Sequence, residues 1–203
     1  MYICPNCKSV AEQNNYYGRI TCTKCNWMSD KESKERKAIY AGSFDPFTFG
    51  HLNVAIEASK MFDKLHICIA SNSDKKRHTD ANQSAVAIQN ILEEYGIRNA
   101  EVVVYYGLIA DYCKNNDISY TIRGLRNTSD YLYEENIAKI NAEVNPNLKT
   151  VYFRDKNDVI SSSMVKELFD HGVDLTPYVP EAVLNFMKEE AELENDNSEN
   201  GSR

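Results

Sequence analysis

Two clusters of residues in this chain have the types and spacing needed for chemistry. The first is a pair of Cys-x2-Cys units, Cys4/Cys7 and Cys22/Cys25, separated by fourteen residues. Four thiolates so paired suit a tetrahedral Zn2+ at bonds of about 2.3 Å, each pair forming one knuckle and the two closing on one ion. A redox dithiol pair or an iron centre are the alternatives, and four protein ligands leave no open position for catalysis. The second cluster is AIYAGSFDPFTFGH, residues 38–51. A short apolar run passes through a Gly, Asp and Pro turn into Thr48, Gly50 and His51, and a helix follows at once. Gly50 lets a ligand approach the backbone, and His51 stands at the positive end of that helix, where free amides and the dipole favour an anion such as phosphate. A plainer reading makes the stretch a strand-to-helix loop with His51 as its cap.

Two further stretches point the same way. Ile122-Arg123-Gly124-Leu125-Arg126 sets two arginines three apart after an apolar run. Arginine presents a fixed fork of donors, so such a pair suits an anion clamp, with a surface salt bridge as the alternative. Ile160-Ser161-Ser162-Ser163 precedes the helical stretch MVKELF; serines are good N-caps and leave amides pointing at whatever binds there. Asp45, before Pro46, reads as a turn residue in preference to a metal ligand.

The elements that must position these residues follow from periodicity. From Ala38 onward, short apolar runs (AIYA, LHICIA, EVVVYY, YTIR, TVYF) alternate with segments of helical period (HLNVAIEASKMF, SAVAIQNILEEY, LIADYCKN, YLYEENIAKINAEV, SSMVKELF). The strands lack polar alternation, as expected when both faces are covered. A doubly wound, Rossmann-like parallel α/β sheet is the economical architecture, with ligands at the carboxyl ends of its strands. Residues 1–29 read as a separate small module, 30–37 (DKESKERK) as a solvated linker, 38–187 as the α/β domain and 188–203 as an acidic, disordered tail. The module is too short to bury a core without a staple, which the Cys4 zinc ribbon would supply. Its Tyr16, Tyr17, Arg19, Lys24 and Trp27 either pack around the metal or form a contact surface for nucleic acid or protein. Cys68 and Cys113 read as core thiols.

Gly42-Ser43-Phe44-Asp45-Pro46 with Thr48-x-Gly50-His51, and the later Ile160-Ser161-Ser162-Ser163, resemble the two signatures of the nucleotidyltransferase superfamily. Arg123-Gly124-Leu125-Arg126, followed by Ser129-Asp130-Tyr131-x-Tyr133-Glu134, is similar to the phosphopantetheine adenylyltransferase family, which acts in coenzyme A synthesis. The resemblance implies AMP transfer from ATP to 4'-phosphopantetheine, with Mg2+ accompanying the nucleotide. It implies catalytic roles for His51, Arg123 and Lys75 (of the Lys75-Lys76 pair), and substrate contacts by Tyr40, Gly42, Ser43, Phe44, Gly50, Arg126, Tyr133, Glu134, Ile160, Ser161, Ser162 and Ser163. It also implies a homo-oligomer, commonly a hexamer. The sequence departs from that family at Phe49, where Asn is usual, and in RHTDANQSAV, which lacks the family's Pro-x-Phe. Other readings are a nicotinamide-nucleotide adenylyltransferase, a cytidylyltransferase, or a nucleotide-binding regulator that contacts nucleic acid through its ribbon.

Composition narrows the classes. With 203 residues, 42% hydrophobic and 26% charged, the chain is long enough for one medium α/β domain and a small appendage. A net charge of -7 speaks against a protein that coats nucleic acid. No apolar run approaches the roughly 18 residues of a membrane span, and MYICPNCK is not a secretory leader, so a cytoplasmic address is expected.

Overall fold

The computed structural model describes residues 2–14, 19–28, 35–70, 77, 79–154 and 160–200. The chain divides into two compact units, Met1–Glu35 and Arg36–Arg203; most of the expected linker, at residues 30–34, lies outside the described residues.

In the first unit, β1 (Tyr2–Ile3), β2 (Val10–Asn14) and β3 (Arg19–Thr21) pair antiparallel in the order β1-β2-β3. The Cys-x2-Cys units form two turns with one hydrogen-bond pattern. Lys8 N–H donates to Cys4 O and Asn26 N–H to Cys22 O, both at 2.9 Å, while Cys4 and Cys22 N–H donate to Ser9 O and Trp27 O, both at 2.8 Å. Lys8 and Asn26 end these turns in the left-handed region, at φ 61° and 55°. Tyr16 and Tyr17 lie outside the described residues, and Trp27 packs against the cysteines.

The second unit realises the βα alternation. Strands β4 (Lys37–Gly42), β5 (Lys64–Ala70), β6 (Ala100–Tyr105), β7 (Tyr120–Leu125) and β8 (Lys149–Arg154) form one parallel sheet in the order β6-β5-β4-β7-β8. Winding runs outward from β4 in both directions, so the switch point lies between β4 and β7, where their carboxyl ends splay and admit a ligand. Alternate residues of β4 enter opposite faces. Ala38 and Tyr40 join a core built with α1 (Phe49–Met61), α2 (Ala81–Glu94), α5 (Ser162–Asp170) and α6 (Glu181–Asn200), and Ile39 and Ala41 join a smaller one with α3 (Ile109–Asn115). Burial on both faces explains the unbroken apolar runs of β4 and β5. Cys68 and Cys113 are buried in the smaller core, as expected for core thiols. α4 (Thr128–Val144) has no fully buried residue.

One expectation is corrected. The acidic stretch from residue 188 onward continues α6 as helix to Asn200. Val183, Leu184, Phe186 and Met187 anchor the first turns in the core, and the following Glu, Ala and Leu residues are strong helix formers that extend an already nucleated helix.

Candidate nucleotide site

At the carboxyl ends of β4 and β7 lies a cleft of about 300 Å³, the size range of small-ligand sites. Tyr40, Gly42, Ser43, Phe44, His51, Arg123, Arg126, Glu134, Ile160, Ser161, Ser162 and Ser163 line it together with Ala41, Thr48, Val54 and Gly124. Gly50 is buried in the first turn of α1, off the cleft wall. Tyr133, expected at the nucleotide, is 66% exposed and absent from the wall; one residue along a helix is a turn of about 100°, so Glu134 facing the cleft carries Tyr133 away from it. Lys75 lies outside the described residues.

The GSFDP turn is braced from below. Phe44, at φ 46°, is a bulky residue in the left-handed region, a conformation that persists only where surroundings enforce it. Its ring packs edge-on to Tyr40, Phe47 and His51, with centroids at 5.2, 5.4 and 5.1 Å. Asp45 takes the bracing role: Oδ1 accepts from Thr79 N–H (3.2 Å) and Oγ1 (2.9 Å), and Oδ2 lies 3.4 Å from Lys166 Nζ. A Cβ on Gly42 would meet Phe44 Cε1 at 2.9 Å, and that ring is 1% exposed with nowhere to retreat. Gly42→Ala is therefore expected to cost about 1–3 kcal/mol of stability by overpacking and to shift the His51 ring. Thermal melting beside a turnover assay checks this; an unshifted melting temperature contradicts it.

His51 is both cap and site. Thr48 N–H donates to its Nδ1 at 3.1 Å, and Thr48 Oγ1 accepts from His51 N–H at 3.4 Å, a reciprocal capping box at the start of α1. With Nδ1 an acceptor, the ring proton sits on Nε2. Burial, and then the charge of Arg126, push its pKa down from 6.5 to about 4. The site thus holds a neutral imidazole with an oriented N–H donor.

The two arginines are already paired. Arg123 Nε lies 3.0 Å from Glu134 Oε2, and its Nη1 donates to Ala41 O at 2.8 Å. Arg126 donates from Nε and Nη2 to both carboxylate oxygens of Asp130 at 2.9 and 3.3 Å. Burial raises the Glu134 carboxyl above its ordinary value against the pull of Arg123. Burial works against Asp130 too, but the bonds from Arg126 outweigh it and hold that carboxyl low. The counter-ions on α4 aim the guanidinium groups before any anion arrives.

The serines divide their duties. Ser161 Oγ caps α5 by accepting from Met164 N–H (3.1 Å), and Ser162 Oγ donates to Pro46 O at 2.9 Å, tying α5 to the GSFDP turn. Ser162 Oγ–H is thereby engaged within the protein, whereas Ser161 keeps its own O–H as a donor; beside it α5 offers an anion its first-turn amides. Phe49 N–H donates to Tyr178 O at 3.0 Å and its ring packs on the main core, which is what this position does in place of an Asn.

In the other unit, the four cysteine Sγ atoms lie within 4.8 Å of one another, with Cys4–Cys25 at 3.7 Å and Cys7–Cys22 at 3.4 Å. Four sulfurs around one Zn2+ at about 2.3 Å are separated by about 3.8 Å, so the donor set and its spacing fit a closed tetrahedral metal centre. No other group of potential metal ligands converges among the described residues, and no helix among them is long and apolar enough to cross a membrane.

Residues 39–168 match the family described as cytidylyltransferase-like. A phosphopantetheine adenylyltransferase of Staphylococcus carnosus is 35% identical over 157 residues, covering 76% of this chain and 96% of that protein. Another, of Staphylococcus haemolyticus, is 36% identical over 155 residues, covering 75% and 95%. A crystal structure named for a nicotinate-nucleotide adenylyltransferase of Vibrio parahaemolyticus superposes with a TM-score of 0.58 at 15% identity, covering 77% of this chain and 93% of its own. That likeness speaks for the fold alone.

Proposed function

Because the chain belongs to the cytidylyltransferase-like nucleotidyltransferases and, among them, to the phosphopantetheine adenylyltransferase family, we propose that it transfers AMP from ATP to 4'-phosphopantetheine. The observation that carries the reading is the convergence of His51, Arg123, Arg126 and the N-terminus of α5 on one cleft at the sheet's switch point. An oxygen of the acceptor phosphate attacks the α-phosphorus in line, the bond from that phosphorus to the bridging oxygen breaks, and pyrophosphate leaves. The products are pyrophosphate and dephospho-coenzyme A. The nucleophile is already an anion, so no general base is needed. What the protein supplies is alignment of two polyanions and donors for the charge that moves onto the leaving group.

In this reading His51 Nε2–H donates to the α-phosphate region, and Ser43 and the amide of Phe44 meet the phosphates from the turn. Arg123 and Arg126 share their forks between α4 and the substrates, with Lys75 as a further phosphate contact. The amides at Ser162 and Ser163 receive the β and γ oxygens, and Glu134 sits toward the ribose. Mg2+ fits as an ion held by the nucleotide's own phosphates and supplies further neutralisation of their charge when bound. Cys4, Cys7, Cys22 and Cys25 hold a structural Zn2+, which implies a reducing compartment, the cytoplasm. A homo-oligomer, hexameric as the resemblance implies, is the proposed assembly.

Pyrophosphate release from Mg-ATP tests the reaction, with 4'-phosphopantetheine, nicotinamide mononucleotide or no acceptor supplied separately. Release with 4'-phosphopantetheine alone is expected. Release with nicotinamide mononucleotide would keep the chemistry and change the acceptor, and silence in every tube would overturn the enzymatic reading.

A further inference from the structure

We infer that Arg77 is a positioning residue for the phosphates, acting through the Ser43–Phe44 peptide; this deepens the proposed function and rests on the cleft being a phosphate site. Arg77 Nη1 donates to the carbonyl of Ser43 at 2.7 Å, and its Nε donates to the carbonyl of Thr79 at 3.1 Å. Ser43 and Phe44 line the cleft and Arg77 does not, so the guanidinium approaches their shared peptide from behind.

The consequence follows from peptide geometry. The Ser43–Phe44 bond is trans, which directs the Phe44 N–H away from the carbonyl that Arg77 holds. That N–H has no hydrogen-bond partner among the described residues and belongs to a cleft-lining residue. A carbonyl that accepts from a cation polarises its whole peptide unit, and the N–H at the other end becomes a stronger donor. Arg77 thereby brings part of its charge to the cleft without entering it, and fixes the direction of an amide whose residue sits in the left-handed region at φ 46°. The second bond, to Thr79, joins this support to the Asp45 brace, since Thr79 donates to Asp45 Oδ1 through both N–H and Oγ1. Arg77 Nη2 is buried with no acceptor among the described residues. A strut chosen for hydrogen bonds alone has no use for a third buried donor, since leaving it unmade is destabilising; what the position keeps is the cation.

Arg77→Gln removes the charge and keeps an N–H donor, and Arg77→Lys keeps the charge and loses the fork. Calorimetric binding of ATP and of adenosine to the full chain, with steady-state turnover beside it, separates the cases. Arg77→Gln is expected to weaken ATP about fivefold to tenfold and lower kcat about tenfold, a fraction of the loss from deleting an oxyanion donor outright. Adenosine affinity should stay unchanged, and Arg77→Lys should recover most of the loss. Equal weakening of ATP and adenosine, or Lys no better than Gln, would overturn the inference, and so would Gln behaving as wild type. If the wild type turns over no 4'-phosphopantetheine, the proposed acceptor fails, while the comparison of ATP with adenosine still decides what Arg77 does.

Discussion

His51→Ala lowers the rate of pyrophosphate release about 10²–10³-fold, the usual cost of removing one preorganised donor from a site of developing negative charge, while the KM for ATP changes little. The reason lies in the capping box: Thr48 N–H occupies Nδ1, so the ring presents Nε2–H and nothing else. The ring is neutral in the working range, because burial and Arg126 push its pKa from 6.5 to about 4. A titration of the His51 Cε1–H NMR signal should give a midpoint near 4, and kcat should show no His51 limb between about pH 5 and 8. The sign for stability follows from linkage. As pH falls below 6.5 the unfolded chain takes up the His51 proton before the folded one does, so this group's contribution is present above 6.5 and lost toward 4. The loss is on the order of 3 kcal/mol at most. A midpoint near 6.5, with kcat falling as pH rises through it, would mean that an imidazolium acts in the cleft.

Chelation of the Zn2+ proposed for the four cysteines is expected to unfold the first unit and to leave the transfer reaction running. Among the described residues of that unit, the buried apolar side chains are Cys4 and Cys22, with Cys7, Cys25 and Trp27 packed against them. A unit of this length, Met1–Glu35, does not by itself offset the entropy of ordering the chain, whereas zinc held by four thiolates supplies apparent binding energies of about 10 kcal/mol or more. Trp27 is the one tryptophan of the sequence, so its fluorescence reports on this unit directly. A strong chelator, or Cys4→Ser, is expected to shift and weaken that signal. The cleft is lined entirely by residues of the second unit, so pyrophosphate release should persist at near its original rate. An unchanged tryptophan signal at full metal removal would show that the four cysteines are no structural staple.

Much of the fold was legible because burial on both faces of a parallel sheet leaves a direct mark on sequence: LHICIA and EVVVYY have no polar alternation to confuse them with surface strands. The cleft was legible where backbone needs and chemistry coincide, in the Gly42 turn, the Thr48–His51 spacing and the serines that open α5. What escaped were interactions between segments far apart in the chain. Nothing local in Asp45 announces Thr79 and Lys166 as partners, and Arg77 reads as one more charge in a basic loop until Ser43 O is found 2.7 Å from it. The same holds for the hydroxyl of Ser162, which reaches Pro46 O across the chain. Tyr133 stands off the cleft wall, since a motif fixes the order of residues and not the face of the helix they occupy. Helical continuation through the acidic end was missed because composition alone does not show that the preceding turns are anchored in the core.

The most direct test of the central claim runs the reaction backwards. Purified protein with Mg2+, pyrophosphate and dephospho-coenzyme A should form ATP, read by a luciferase assay, and His51→Ala should slow its formation by the same roughly 10²–10³-fold as the forward reaction. ATP formed from a nicotinamide dinucleotide and not from dephospho-coenzyme A would contradict the proposed acceptor, and no ATP from either would contradict adenylyl transfer itself.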